Sequence, residues 1–149
     1  MNPTFTLADA TDTEQLVELM REFYAFDHIA FDEAAARRAL AQILGDRRFG
    51  LVYLIRAGAE TVGYLVLTFG FSLEFHGRDA FVDELYLRES FRGRGIGRAS
   101  IEFAAGVCRD ARITALHLEV ERANAHALGL YRRTGFRDHD RYLLTKWLS

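Results

Sequence analysis

The stretch Phe91-Arg92-Gly93-Arg94-Gly95-Ile96-Gly97-Arg98 constrains this chain more than any other part of its sequence. It follows an apolar, strand-like run from Ala80 to Leu87. It precedes a helical pattern in which Ile96, Ala99, Phe103 and Val107 recur, ending near Arg109. Glycines let such a turn close tightly with its N–H groups pointing inward. The first turn of the following helix adds unpaired N–H donors and the positive end of the helix dipole. Arg92, Arg94 and Arg98 add charge around that concavity. The construction suits a pyrophosphate and implies a fold that alternates strands with helices.

The rest of the pattern agrees. Thr4 to Leu7 reads as a first strand. Thr11 and Glu14 form a capping-box pattern ahead of Leu16, Leu19, Met20 and Phe23, which places an amphipathic helix over 12–25. Asp32 is a candidate cap for a second helix that carries Ala36, Leu40, Ile43 and Leu44 on one face and stops at Gly45. Phe49–Arg56 and Thr61–Phe71, joined by a turn at Ala57-Gly58-Ala59-Glu60, predict a β-hairpin. Ser72 to Arg78 reads as a loop and Ala80 to Leu87 as the next strand. After the glycine-rich turn and its helix come a strand over Ile113–Val120, a short helix over Ala123–Arg133 stopped at Gly135, and a final strand over Phe136–Leu148. The predicted order, β-α-α-β-β-β-α-β-α-β, is a three-layer α/β fold with a mixed central sheet and helices on both faces, as a single domain over 1–149.

Composition narrows the function classes. Nineteen basic and 21 acidic side chains leave a formal charge of −2, which gives no global pull toward nucleic acid. No stretch approaches the ~18 apolar residues that span a bilayer, and no basic flank with an apolar run opens the chain, so neither a membrane partner nor a signal peptide is expected. The one cysteine, Cys108, cannot make an internal disulfide, and a reducing, cytoplasmic setting is expected. It reads as a buried, inert thiol. The five histidines are scattered without metal-ligand spacing, so no metal is expected.

The turn itself discriminates among nucleotides. A P-loop ends in Gly-Lys-Ser/Thr, absent here. A dinucleotide fingerprint needs a third glycine where Arg98 stands, and it follows the first strand, whereas this turn follows several. ATP and NAD are therefore disfavoured.

At this point the chain resembles the GNAT superfamily of N-acetyltransferases. The family's Arg/Gln-x-x-Gly-x-Gly/Ala signature is met by Arg92, Gly95 and Gly97. Downstream, Glu119-Val120-Glu121-Arg122-Ala123-Asn124 and Leu130-Tyr131-Arg132-Arg133-Thr134-Gly135-Phe136 have the family's strand, Asn, Leu-Tyr and Gly-Phe spacing. The element order fits from end to end. Within the superfamily the chain is most similar to the diamine (spermidine/spermine) N-acetyltransferase group. Asp83-Glu84-Leu85-Tyr86-Leu87 through Tyr131 lies on that group without gaps, and Phe26-Asp27 falls on its aromatic-acidic pair near the substrate. The chain departs from family habit at Thr6-Leu7-Ala8-Asp9 and at Glu89-Ser90, where a proline is common.

The resemblance implies acetyl-CoA as co-substrate and a primary amine as acceptor, of the polyamine, diamine or basic amino-acid class. Main-chain groups of Leu85, Tyr86 and Leu87 would pair with the pantetheine arm. The N–H groups of the turn, from Gly93 through Arg94, Gly95, Ile96 and Gly97 to Arg98, would hold the pyrophosphate beside Arg92. Asn124 would sit beside the pantetheine, where it equally serves as a helix cap. Tyr131 stands at the family's general acid and beside the cofactor. Asp83 or Glu84 stands at its general base, and Asp83 with Phe26 and Asp27 would contact the acceptor. Other acceptors in the family are protein N-termini and lysine side chains. A different class is a non-catalytic acetyl-CoA sensor. The family often forms homodimers, and the apolar segment Tyr142-Leu143-Leu144-Thr145-Lys146-Trp147-Leu148 is a candidate either for such an interface or for closing the sheet.

The residue types match the chemistry. An alkyl amine has a pKa near ~10 and arrives protonated; a carboxylate can bind the ammonium and take its proton. Attack on the thioester makes an oxyanion that a main-chain N–H can stabilise, and a tyrosine can protonate the leaving thiolate. Adjacent strand residues face opposite sides, so only one of Asp83 and Glu84 points into a given cleft unless a bulge intervenes.

Overall fold

Helices and strands take turns along the chain because its apolar period alternates between 3.6 and 2. The computed structural model describes residues 2–149. The elements are β1 (Thr4–Leu7), α1 (Thr13–Phe26), α2 (Glu33–Gly45), β2 (Gly50–Ala57), β3 (Glu60–Ser72), β4 (Gly77–Leu87), α3 (Ile96–Asp110), β5 (Ala115–Leu118) and α4 (Ala125–Arg133), with short 3-10 turns at Ala10–Asp12 and Glu89–Phe91. The first nine predicted elements are therefore present in the expected order. The chain resolves into two compact units, Met1–Glu119 and Val120–Ser149.

In the first unit the five strands lie in sequence order. β1 to β4 are successively antiparallel, and β4 and β5 are parallel. Side-chain parity sorts the two faces. Val52 and Leu54 of β2, with Tyr64 and Val66 of β3, pack with Leu16, Val17, Leu19 and Leu40 from α1 and α2. On the opposite face Phe103 of α3 stacks on Phe5 (centroids 4.3 Å apart) and meets Tyr53 edge-on at 4.8 Å. Cys108 of α3 packs with Ala80 and Ile113. Helices thus cover both faces of a mixed sheet, giving the three layers expected.

Local chemistry explains the boundaries and three differences from expectation. Asp32 caps α2, its Oδ1 accepting from the Ala35 N–H at 3.0 Å. The capping box before α1 uses Asp9 and Asp12, not Thr11 and Glu14. A carboxylate is the stronger acceptor, and Asp9 takes both the N–H and the hydroxyl of Thr11. The β3–β4 hairpin extends to Ser72 paired with Gly77, so part of the expected 72–78 loop is strand. The final strand expected over Phe136–Leu148 does not form: residues 136–149 carry no regular element, and Tyr142, Leu143, Leu144, Trp147 and Leu148 are exposed. Strand preference is realised through cross-strand packing, and this segment has no ladder partner.

Candidate active site

The site-bearing part of β4 is set by its neighbours. Asp79 to Val82 is paired on both sides, with β3 and with β5. β5 ends opposite Val82, so Asp83 to Leu87 pairs only with β3 and leaves its other edge open. At that point the strand also breaks parity. Leu67 of β3 faces Val82 and Val66 faces Glu84, leaving Asp83 as an extra residue in a β-bulge. Ala80 lies on the α3 face, whereas Tyr86 lies on the α1/α2 face. Without the bulge those residues, six apart, would share one face. The bulge that the sequence reading left open at Asp83 and Glu84 is therefore present, and simple alternation does not hold there.

The bulge gives the two carboxylates different surroundings. Glu84 is turned toward α1. Its Oε2 accepts from the Tyr24 hydroxyl at 2.5 Å and its Oε1 from the Tyr64 hydroxyl at 2.6 Å. Burial raises its pKa above the ordinary carboxylate value. The two hydroxyls pull it back down and the charge of Asp83 adds to the rise. Both tyrosines are pushed well above the ordinary phenol value, by burial first and by Glu84 next, so both keep their protons. Asp83 retains solvent access, yet enough protein flanks it that desolvation raises its pKa too. Among the described residues, no arginine, lysine or histidine pairs with either carboxylate, and Asp83 accepts no hydrogen bond from the protein.

The glycine-rich turn follows directly. Gly93 and Gly95 have φ of +74° and +83°, the left-handed region that favours glycine. Gly95 is the N-cap of α3 and offers no side chain, so the N–H groups at the head of the helix are left open. The first bond back to the cap is from the Ala99 N–H to the Gly95 carbonyl, 3.0 Å. Ile96 is buried beneath the turn and anchors it. The three arginines do different things. Arg92 is not free: its Nε donates to the Leu87 carbonyl at 2.9 Å, and its guanidinium lies 4.1 Å above the Phe26 ring and 5.6 Å from that of Tyr86. It ties the turn to the end of α1 and occupies one of the main-chain acceptors at the foot of β4. Arg94 packs over Phe91, and Arg98 pairs with Glu102 one helical turn on. Phe26 is 58% exposed, and Asp27 is the exposed C-cap residue of α1.

The second unit carries the remaining two residues. Asn124 caps α4, its Oδ1 accepting from the Ala127 N–H at 3.1 Å. Tyr131 is half-buried on α4 with its ring 5.9 Å from that of Phe136. Burial raises its pKa, and its hydroxyl has no partner among the described residues.

Residues 13–136 match the family model described as the acetyltransferase (GNAT) family. The chain belongs to that family. This GNAT chain is thus an acyltransferase. It is 27% identical over 136 residues, 85% of its length, to the thialysine N-epsilon-acetyltransferase of Bos taurus, covering 79% of that protein. The mouse protein of the same name is 26% identical, with 88% and 82% covered. Among solved structures, an integron cassette protein from the mobile metagenome of Cole Harbour Salt Marsh is 38% identical with a TM-score of 0.85, covering 97% of this chain and 90% of that one. A predicted acetyltransferase from Clostridium acetobutylicum, solved with acetyl-CoA, has a TM-score of 0.81 at 16% identity, with 97% and 96% covered; it shares the fold. No helix among the described residues is long and apolar enough to cross a membrane.

The sequence of this GNAT chain offers Tyr24 as a candidate lining of the acceptor pocket, clustered with Phe23 and Phe26, and does not single out Tyr64. Nor does it show the brace in which Glu22 of α1 receives Arg88 at 2.9 Å and the Tyr86 hydroxyl at 3.2 Å. Their partners lie 20 or more residues away on another element, beyond the reach of any local pattern. The one visible signal was the density of aromatic residues at Phe23, Tyr24 and Phe26.

Proposed function

We propose that this GNAT chain moves the acetyl group of acetyl-CoA to the primary amine of a small cationic molecule of the polyamine, diamine or basic amino-acid class. The observation that carries the reading is the lower half of β4. An open main-chain edge, ending in an uncapped helix N-terminus, runs beside two carboxylates that no protein cation neutralises. The family membership and the amine-directed names of the thialysine acetyltransferase relatives support it.

In this reading the turn from Gly93 to Arg98 holds the pyrophosphate, and the open edge of Leu85, Tyr86 and Leu87 pairs with the pantetheine arm through the main-chain groups that Arg92, on the Leu87 carbonyl, leaves available. The ammonium of the acceptor docks against the carboxylates, with Phe26 and Asp27 at the rim, and gives up one proton. The neutral nitrogen attacks the thioester carbon, and a main-chain N–H on the open edge receives the oxyanion. Collapse breaks the C–S bond, Tyr131 gives its proton to the departing thiolate, and the second proton of the attacking nitrogen leaves as the amide forms and restores the Tyr131 phenol. Burial raises the phenol's pKa, so it is protonated before the thiolate forms. Asn124 contributes beside the cofactor through whatever its capping bond leaves free. The family match runs from 13 to 136 and so crosses the boundary at residue 120, which favours one catalytic domain over two independent ones.

The test is to incubate the chain with acetyl-CoA and a panel of polyamines, diamines, amino acids and peptides, following thiol release. Turnover of small diamines or basic amino acids is expected. Turnover of peptides alone would move the acceptor to protein, and cofactor binding without turnover would make the chain a sensor. In Tyr131→Phe, kcat is expected to fall by about 100-fold with acetyl-CoA affinity little changed. Wild-type kcat in that variant would remove Tyr131 as the acid.

A further inference from the structure

Tyr24 and Tyr64 grip one carboxylate from two directions. Tyr24 comes from the C-terminal end of α1 and Tyr64 from β3, and each donates to a different oxygen of Glu84, at 2.5 and 2.6 Å. Neither ring is loose. Tyr24 is held edge-on by Phe23 at 5.7 Å and Phe31 at 5.3 Å. Tyr64 is 1% exposed and meets Phe23 and Tyr86, each at 6.3 Å. Both hydroxyls are therefore aimed before any ligand arrives. Next to this saturated group, on the extra residue of the bulge, Asp83 is solvent-accessible and accepts nothing from the described residues. The other charged or titratable groups facing Glu84 are those two tyrosines and Asp83 itself.

We propose that Tyr24 and Tyr64 are positioning residues for the transfer: by occupying both oxygens of Glu84 they fix the bulge, withdraw Glu84 from proton transfer and leave Asp83 as the carboxylate that receives the acceptor's ammonium. This rests on the acetyl-transfer reading above and divides its carboxylate role between two residues. Each oxygen of Glu84 already accepts a short, charge-assisted bond. Taking a proton there would need the carboxyl to turn away from a tyrosine held in place by its aromatic neighbours. Asp83 needs no such rearrangement. In the step, an ammonium N–H proton passes to an Asp83 oxygen and the electron pair left on nitrogen forms the new C–N bond. The clamp also joins α1 to β4, so the helix end bearing Phe26 and Asp27 is fixed relative to the attacking nitrogen.

Tyr24→Phe and Tyr64→Phe keep the rings and remove the hydroxyls. Two measurements separate the clamp from the catalytic reading. The first uses protein without acetyl-CoA, carrying carbon-13 in its carboxyl groups, and follows Glu84 and Asp83 by NMR against pH. Each variant is expected to raise the Glu84 midpoint by about one unit, since each removes a bond to the ionised form, and to move Asp83 far less. A Glu84 midpoint unchanged in both variants would overturn the clamp. The second measurement is acetyl transfer to the best amine. Here kcat is expected to fall about tenfold in each variant, with the KM for acetyl-CoA unchanged. The acid limb of the kcat/KM profile is expected to vanish in Asp83→Asn and to persist in Glu84→Gln. The reverse pattern, with the limb lost in Glu84→Gln and kept in Asp83→Asn, would overturn the division of labour. If no amine turns over, the acetyl-transfer reading falls and Asp83's role with it, and the titration alone decides whether the tyrosines hold Glu84.

Discussion

The two halves of β4 lie in one strand and have different surroundings. From Asp79 to Val82 the strand has a neighbour on each side, and three of its four side chains are buried: Asp79 is 8% exposed, Ala80 0% and Val82 9%, while Phe81 is 39% exposed. From Asp83 to Leu87 it has one neighbour, and its first two residues are carboxylates. A single inserted residue separates the halves. Where the ladder is complete, the backbone's hydrogen-bonding capacity is spent on the fold. Where β5 stops, that capacity is available to a ligand, and the bulge rotates Glu84 and Tyr86 toward α1. The site is thus made by ending one strand early and adding one residue to the next.

Predictions follow from trying to break this contrast. The largest effect is expected in the open half: Asp83→Asn should lower kcat/KM for the amine by about 100-fold or more with thermal stability nearly unchanged. A wild-type rate in a thiol-release assay would show that the open half does not need its free carboxylate. In the closed half the opposite separation is expected. Leu67 faces Val82 across the ladder and is fully buried, so Leu67→Ala should cost about 2–5 kcal/mol in denaturant unfolding, while acetyl-CoA affinity of the remaining folded protein holds. Gly63 probes the joint between strands in the open half. A Cβ there would come within 2.0 Å of the Tyr86 carbonyl oxygen, so Gly63→Ala should cost about 1–3 kcal/mol and also weaken cofactor binding, measured by calorimetry. A purely structural loss would place the open edge outside the cofactor site.

The smallest expected effect is on stability against pH. Asp83 and Glu84 both have pKa values raised by burial, so the folded state holds protons that the unfolded chain has released. Stability contributed by the protonated pair is therefore full below the ordinary carboxylate pKa, and it declines as pH rises from that value through the raised ones. Asp9, Glu14, Glu33, Asp46 and Asp138 have lowered pKa values and act in the opposite sense, so the decline is read as a difference: the wild type should lose stability relative to Asp83→Asn as pH rises. A variant whose curve keeps the wild-type slope would mean that Asp83 is not desolvated in the folded chain.

Much of this was legible in the sequence, for physical reasons. Hydrophobic period is local, so the alternation of helices and strands through α4 could be read residue by residue. The turn at Arg92 to Arg98 was equally legible, because glycine's tolerance of positive φ and the free N–H groups of a helix start are properties of a few adjacent residues. Asp83 and Glu84 were singled out, but their different surroundings were not, because parity at a bulge depends on the register of the partner strand. Tyr24 and Tyr64 lie 60 and 20 residues from Glu84, and no spacing in the chain announces hydrogen bonds across such distances. The apolar C-terminal segment had strand composition and formed no strand, since cross-strand neighbours, not composition, stabilise one. The sequence by itself determined that a glycine-rich turn with open N–H groups would stand between a strand and a helix in a sheet of this kind. Tertiary structure decided which carboxylate was left free beside it, because that depends on where β5 stops and on which hydroxyls reach Glu84 from elsewhere in the fold.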